Sequence, residues 1–199
     1  DNLKKMNKLL VFFLLWSGLI YSQHTKKDVL QYQKDLNNSY FNSETTPLKN
    51  EDLKNFKGLD FFKYNKKFIV KATFEKLENQ SIFQMPTSGK NKPNYKRYGI
   101  LHFTLNGQNF KLEVYQNIDL ISKEGYKKHL FLPFIDETSG NVTYGAGRYL
   151  DIEIPETDEI IINFNKSYHP YCAYTMGYSC PITPDVNFLQ TKILAGVKF

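Results

Sequence analysis

The residues best suited to chemistry gather in the C-terminal third of the chain. Arg148 follows Gly145-Ala146-Gly147, Asp136 lies twelve residues before it, and Asn165, Tyr168, His169, Cys172 and Cys180 come after it. A guanidinium behind a glycine-flanked turn can clamp a carboxylate or phosphate with parallel hydrogen bonds, while the backbone N–H groups of 145–147 approach the same anion. Arg148 is therefore a candidate ligand-binding residue, with Tyr149 and Tyr168 as walls and Asn165 orienting a polar group. The structural alternative pairs Arg148 with an acid such as Asp136 or Asp151. The glycines precede a strand pattern rather than a helix, so neither a dinucleotide fingerprint nor a P-loop is present.

Asp136 and His169 are the candidates for acid–base work. Asp151 and Glu153 alternate with Leu150, Ile152 and Ile154, which places both on a solvent-facing polar side. His102 and His129 read as ordinary surface histidines. Ser139, Ser167 and Ser179 lack a Gly-x-Ser-x-Gly setting, and no His-Glu-x-x-His string occurs. Cys172 and Cys180 are the only cysteines. An oxidising compartment favours pairing them, and the short loop so closed is worth roughly 2.5 kcal/mol. A metal site using His169 with both cysteines would lack a close Cys-x-x-Cys knuckle and a fourth ligand, so no metal is expected. Free thiols beside His169, or two buried unpaired ones, complete the alternatives. Tyrosines at 144, 149, 168, 171, 174 and 178 combine a stacking face with a polar tip, suited either to a sugar or peptide or to the edge of a core. The Asn-x-Ser/Thr strings at Asn37, Asn79, Asn141 and Asn165 carry little weight in a chain this rich in asparagine.

Several strings look specific: Gly147-Arg148-Tyr149-Leu150, the Phe-Asn-x-x-Tyr-x-Pro-x-Cys-Ala run from Phe164 to Ala173, Phe56-Lys57-Gly58-Leu59 and Phe131-Leu132-Pro133-Phe134. On these the chain, from about residue 28 to 198, resembles the family called domain of unknown function 1684, in an exported form of the Bacteroidota type. The resemblance implies a unit and a shared patch, not an activity. Asparagine is usual in that pattern where this chain has His169, and Glu-Asn where it has Val186-Asn187; both departures weaken a catalytic role there.

These residues need a frame to hold them. Thr25 to Phe41 reads as an amphipathic helix with Val29, Gln33, Leu36 and Tyr40 near one face. Asn50 reads as the N-cap of a second, short helix over about Glu51 to Phe56. From Phe68 the period changes to two. Phe68, Val70, Ala72 and Phe74 alternate with polar neighbours, as do Leu101, Phe103 and Leu105, then Phe110, Leu112 and Val114. Asn106-Gly107 between the last two runs predicts a tight hairpin. Further strands are expected over 130–134, 148–154, 159–164 and near 192–197, with long loops over 84–98 and 135–147. The fold class is mainly β: an antiparallel β-sandwich or partly closed barrel with one or two N-terminal α-helices.

The 199 residues, 41% hydrophobic and 16% aromatic, exclude disorder and a disulfide-only miniature scaffold. Residues 1–5 read as upstream residues and Met6 as the start. Asn7-Lys8, the uncharged run Leu9 to Ile20 and Tyr21-Ser22 read as a signal peptide over 6–22, ahead of one domain over 23–199. Twelve apolar residues rise only about 18 Å as a helix, short of a ~30 Å hydrocarbon core. No transmembrane segment is expected after cleavage. Cleavage removes three lysines and one aspartate, taking the net charge from +6 to +4. That scattered excess does not make a nucleic-acid surface. The expectation is a periplasmic or secreted binding or envelope-associated module for a small anionic or polar ligand, with no cofactor. A hydrolase of a cell-envelope or polymeric substrate is the alternative, and a purely structural protein is the third reading.

Overall fold

The computed structural model describes residues 24–199, so the expected signal segment lies outside the described residues. Helix α1 (Lys26–Phe41) starts at a capping box in which Thr25 and Asp28 satisfy each other's backbone N–H groups. It buries Val29, Gln33 and Tyr40. Gln33 donates to the Asn165 carbonyl at 3.0 Å, and Asn37 accepts the Leu59 N–H at 2.7 Å. Tyr40 stacks on Phe56 and meets Tyr174 edge-on, so the helix is fixed by aromatic contacts at its C-terminal end. Helix α2 (Asn50–Asn55) is N-capped by Lys49, without a side-chain cap, and not by Asn50 as the sequence suggested.

Ten strands follow. They are β1 (Asp60–Phe61), β2 (Ile69–Lys76), β3 (Ile82–Gln84), β4 (Asn94–Leu105), β5 (Gln108–Asn117), β6 (His129–Asp136), β7 (Arg148–Glu153), β8 (Glu159–Asn163), β9 (Phe188–Leu189) and β10 (Val197–Lys198). The main sheet runs β7-β6-β5-β4-β2-β8, and all of these neighbours are antiparallel. It curls into a half-barrel, the partly closed barrel among the expected forms. Asn106 and Gly107, with φ of 55° and 78°, make the predicted turn between β4 and β5. Two boundaries are corrected. β4 begins at Asn94, so the last third of the expected 84–98 loop is strand, and the late strand near 192–197 is β10, paired with β1 rather than with the main sheet.

The sheet is buried on its inner face and over part of its outer face, while the outward residues of β2 and of the adjoining half of β4 are exposed. Its concave side holds Phe68, Val70, Leu101, Leu112, Leu132 and Ile162 with their neighbours, and Leu189, Ile193 and Ala195 from the segment after β9 pack into the same core. The opposite side carries a second cluster of Met85, Tyr95, Tyr115, Phe131 and Tyr149, with Tyr168 packed against it. Between Arg97 and Gly99 the pairing with β5 slips by one residue. Gly99, Leu101, Phe103 and Leu105 point inward, and strict alternation would send Arg97 inward too. The extra residue, Tyr98, turns Arg97 to the outer face, opposite Tyr115.

Candidate functional site

The structure brings Asp136, Arg148 and the 193–197 segment together, in a dry interior. Arg148 is 0% exposed and Asp136 2%. One Arg148 terminal nitrogen donates to the Asp136 carboxylate at 3.1 Å and to the Ile193 carbonyl at 2.8 Å. The other donates to the carbonyls of Ala195 and Val197 at 2.5 and 3.2 Å. The guanidinium lies over the rings of Phe134 and Phe62. Only its Nε is left without a partner among the described residues. Asp136 also accepts from the Thr138 hydroxyl and from the Ile193 N–H at 2.6 Å. Of the two acids named from sequence, the partner is Asp136. Gly147 makes the approach possible: its φ is +95°, and a Cβ there would stand 2.4 Å from the Phe134 carbonyl oxygen.

His169 is equally enclosed, at 1% exposure. Its Nε2 accepts the Tyr144 backbone N–H at 3.1 Å, which leaves the proton on Nδ1 to meet the Tyr174 hydroxyl at 2.9 Å. The ring lies against Phe199 at 4.5 Å. Burial first, and the Arg148 charge second, push its pKa down to about 3, so the ring is neutral. Asn165 is buried as well and exchanges two hydrogen bonds with the backbone of Asn65, at 2.9 and 3.0 Å. The Tyr149 hydroxyl donates to the Pro181 carbonyl. Tyr168 donates to Asp151 at 2.8 Å, and burial followed by that carboxylate raises its pKa well above the usual phenol. His129 is the first residue of β6 and also meets Asp151, at 2.9 Å, while exposed His102 pairs with Glu75. Cys172 and Cys180 form a disulfide with an S–S distance of 2.07 Å.

Two of these, Tyr149 and the disulfide, fasten the start of a segment to which the sequence analysis assigns no role. Residues 181–183 are tied to neighbouring loops and Asn187 to the sheet. Thr87 bridges Pro181, the Ile182 N–H reaches the Pro86 carbonyl at 2.8 Å, and Thr183 donates to the Ala146 carbonyl at 3.1 Å. Asn187, fully buried, accepts the Glu113 N–H at 2.8 Å and donates to the carbonyls of Glu113 and Pro133 at 2.8 and 2.6 Å. Together with β3 and the turn before it, this segment forms the walls of a groove of about 1000 Å³. The walls meet where Pro86 and Ile182 are joined.

Arg97, Glu113 and Tyr115 make its floor. Arg97 donates from Nη1 to Glu113 at 2.9 Å and from Nε to Gln80 at 3.2 Å, and Tyr115 donates its hydroxyl to the second Glu113 oxygen at 2.8 Å. Burial first, then this bond, raises the Tyr115 pKa, so the phenol stays protonated. Phe83, Met85, Ile182, Pro184 and Val186 supply apolar lining, and Phe83, Ile182 and Val186 remain exposed. A shallower hollow of about 640 Å³ over β2, β4 and β8 is edged by charges already paired, Lys71 with Glu159 among them. Arg97 could have been found from sequence only by foreseeing the bulge.

The comparisons agree with this architecture. Residues 54–198 match the family model described as protein of unknown function (DUF1684). The chain is also similar to the solution NMR structure of an uncharacterized protein from Haloarcula marismortui, at 28% identity and a TM-score of 0.69, over 87% of this chain and 94% of that one. No functionally curated protein matches the chain.

Proposed function

The chain belongs to the DUF1684 family of proteins of unknown function, and from its geometry we propose that it is an exported binding module whose ligand lies in the groove floored by Arg97, Glu113 and Tyr115. The groove itself carries this reading. It is concave, largely apolar, shaped by fixed main-chain contacts, and has a hydrogen-bonded polar cluster on its floor, the usual anatomy of a small-ligand site. The residues first singled out from sequence serve it indirectly. The disulfide, Tyr149 and the backbone around Gly147 hold the 181–187 wall in position, and Arg148 anchors the segment beyond it. Export is supported by the disulfide, which persists in oxidising compartments. Among the described residues no helix is long and apolar enough to cross a membrane.

A hydrolase would need a carboxylate, imidazole or thiol facing the groove. Glu113 and Asp185 are the acids that line it, and Glu113 is already engaged by Arg97 and Tyr115. The test uses Nile red, a neutral dye that brightens in apolar surroundings. Saturable emission is expected with the wild-type protein, weakened about tenfold by Phe83→Asp or Ile182→Asp, each an exposed wall position. Equal binding by both variants and the wild type would remove the groove as the site.

A further inference from the structure

Resting on the groove reading, we infer that the ligand is a neutral, amide-headed amphiphile, its head on the Arg97–Glu113 pair and its chain along the Phe83–Ile182 walls. The one cation lining the groove is Arg97, and the acids are Glu113 and Asp185, so the lining carries a net negative charge. Arg97 is therefore not an anion clamp: its Nη1 holds Glu113 at 2.9 Å, and any second carboxylate would meet Glu113 as a like-charge neighbour. Nη2 donates no hydrogen bond to the described residues, and Arg97 keeps 42% of its side chain exposed. Beside this donor stands the Gln80 carbonyl oxygen, which takes one bond from Nε and has a second lone pair. A donor and an acceptor side by side, without surplus positive charge, complement a primary or secondary amide: its C=O takes the Nη2 proton and its N–H gives to Gln80.

The wall formed by residues 182–186 favours an apolar body, with Asp185 as its one charged side chain. The Thr183 hydroxyl is turned away to the Ala146 carbonyl, and Ile182 and Val186 offer only hydrocarbon. Volume is sufficient for a drug-sized molecule.

The experiment compares three eight-carbon ligands that differ only in the head: octanamide, octanoate and octylammonium, each titrated as a competitor of Nile red. Octanamide is expected to displace the dye at least tenfold more effectively than octanoate. Glu113→Gln, which keeps an acceptor for Arg97 and Tyr115 while removing the charge, should narrow the preference for octanamide by raising octanoate affinity about tenfold. Asp185→Asn, at an exposed position, should raise it less and serves if the first variant fails to fold. Octanoate binding tighter than octanamide to the wild type overturns the amide class and leaves the groove standing, as does octylammonium binding tightest. Failure of all three to displace a dye that binds overturns the amide proposal alone, and failure of the dye to bind overturns the groove reading with it.

Discussion

Arg148 illustrates how one side chain can look like a ligand site from its neighbours in sequence and prove to be a structural anchor in space. Its charge is taken out of water and compensated by one carboxylate and three main-chain carbonyls. Removing one partner of such a pair strands the other, so Arg148→Ala should lower unfolding free energy by about 3–5 kcal/mol in denaturant melts. The double variant Arg148→Met with Asp136→Leu, lacking both charges, should recover a substantial part. If the single variant melts like the wild type, the ion pair is not holding the fold. His169 makes a second residue-scale prediction. Its folded pKa of about 3 lies below the ordinary value of 6.5, so the unfolded chain binds the proton first and stability falls as pH drops through that window. The loss attributable to this ring should reach about 2 kcal/mol at pH 5. His169→Asn should flatten the slope between pH 6.5 and 5. An unchanged slope would assign the acid sensitivity elsewhere.

At the scale of elements, Asn187 does for the groove wall what a strand pairing would do. It completes the hydrogen bonding of Glu113 on β5 and donates a third bond to the Pro133 carbonyl on β6. Asn187→Ala would leave those buried backbone groups unpaired, at about 1–3 kcal/mol. It should also weaken Nile red binding, because the wall drifts from the floor; binding preserved alongside lost stability would uncouple the two. Gly147→Ala should be more damaging still, since the added Cβ meets a backbone oxygen in a left-handed conformation. Elements of this kind divide what was legible in the sequence from what was not. The Asn106-Gly107 hairpin, the alternation of β2, β4 and β5 and the α1 face are local patterns, and they were read from neighbours a few residues apart. The Cys172–Cys180 pair needed only the compartment inferred from the signal pattern. Arg97 was hidden because a single inserted residue, Tyr98, reverses the face on which it lies, and alternation read from Leu101 onward says nothing about that slip. Asn187 was hidden because its value depends on carbonyls 54 and 74 residues away.

For the whole molecule, the half-barrel has an inner core and a smaller outer one, and the covering of each depends on segments that lack regular structure of their own. The disulfide is the covalent restraint on the outer covering. Reduction should cost roughly 2.5 kcal/mol of stability and loosen the groove wall together. Intact mass after alkylation, with and without reductant, reports the bridge, and dye affinity measured on the same two samples reports the wall. Should affinity survive complete reduction, the wall owes its place to its non-covalent ties, those of Pro181, Ile182, Thr183 and Asn187.

The pairing of β1 with β10 sets an order of events for biosynthesis. Asp60 and Phe61 find their partners only at Lys198 and Val197, and the carbonyls that receive the Arg148 guanidinium belong to residues 193, 195 and 197. A ribosome or translocation channel still holding those residues therefore holds a chain whose β1 is unpaired and whose interior arginine lacks its three main-chain acceptors. Docking of this edge and satisfaction of the buried guanidinium thus wait until residues 193–198 are free to fold back.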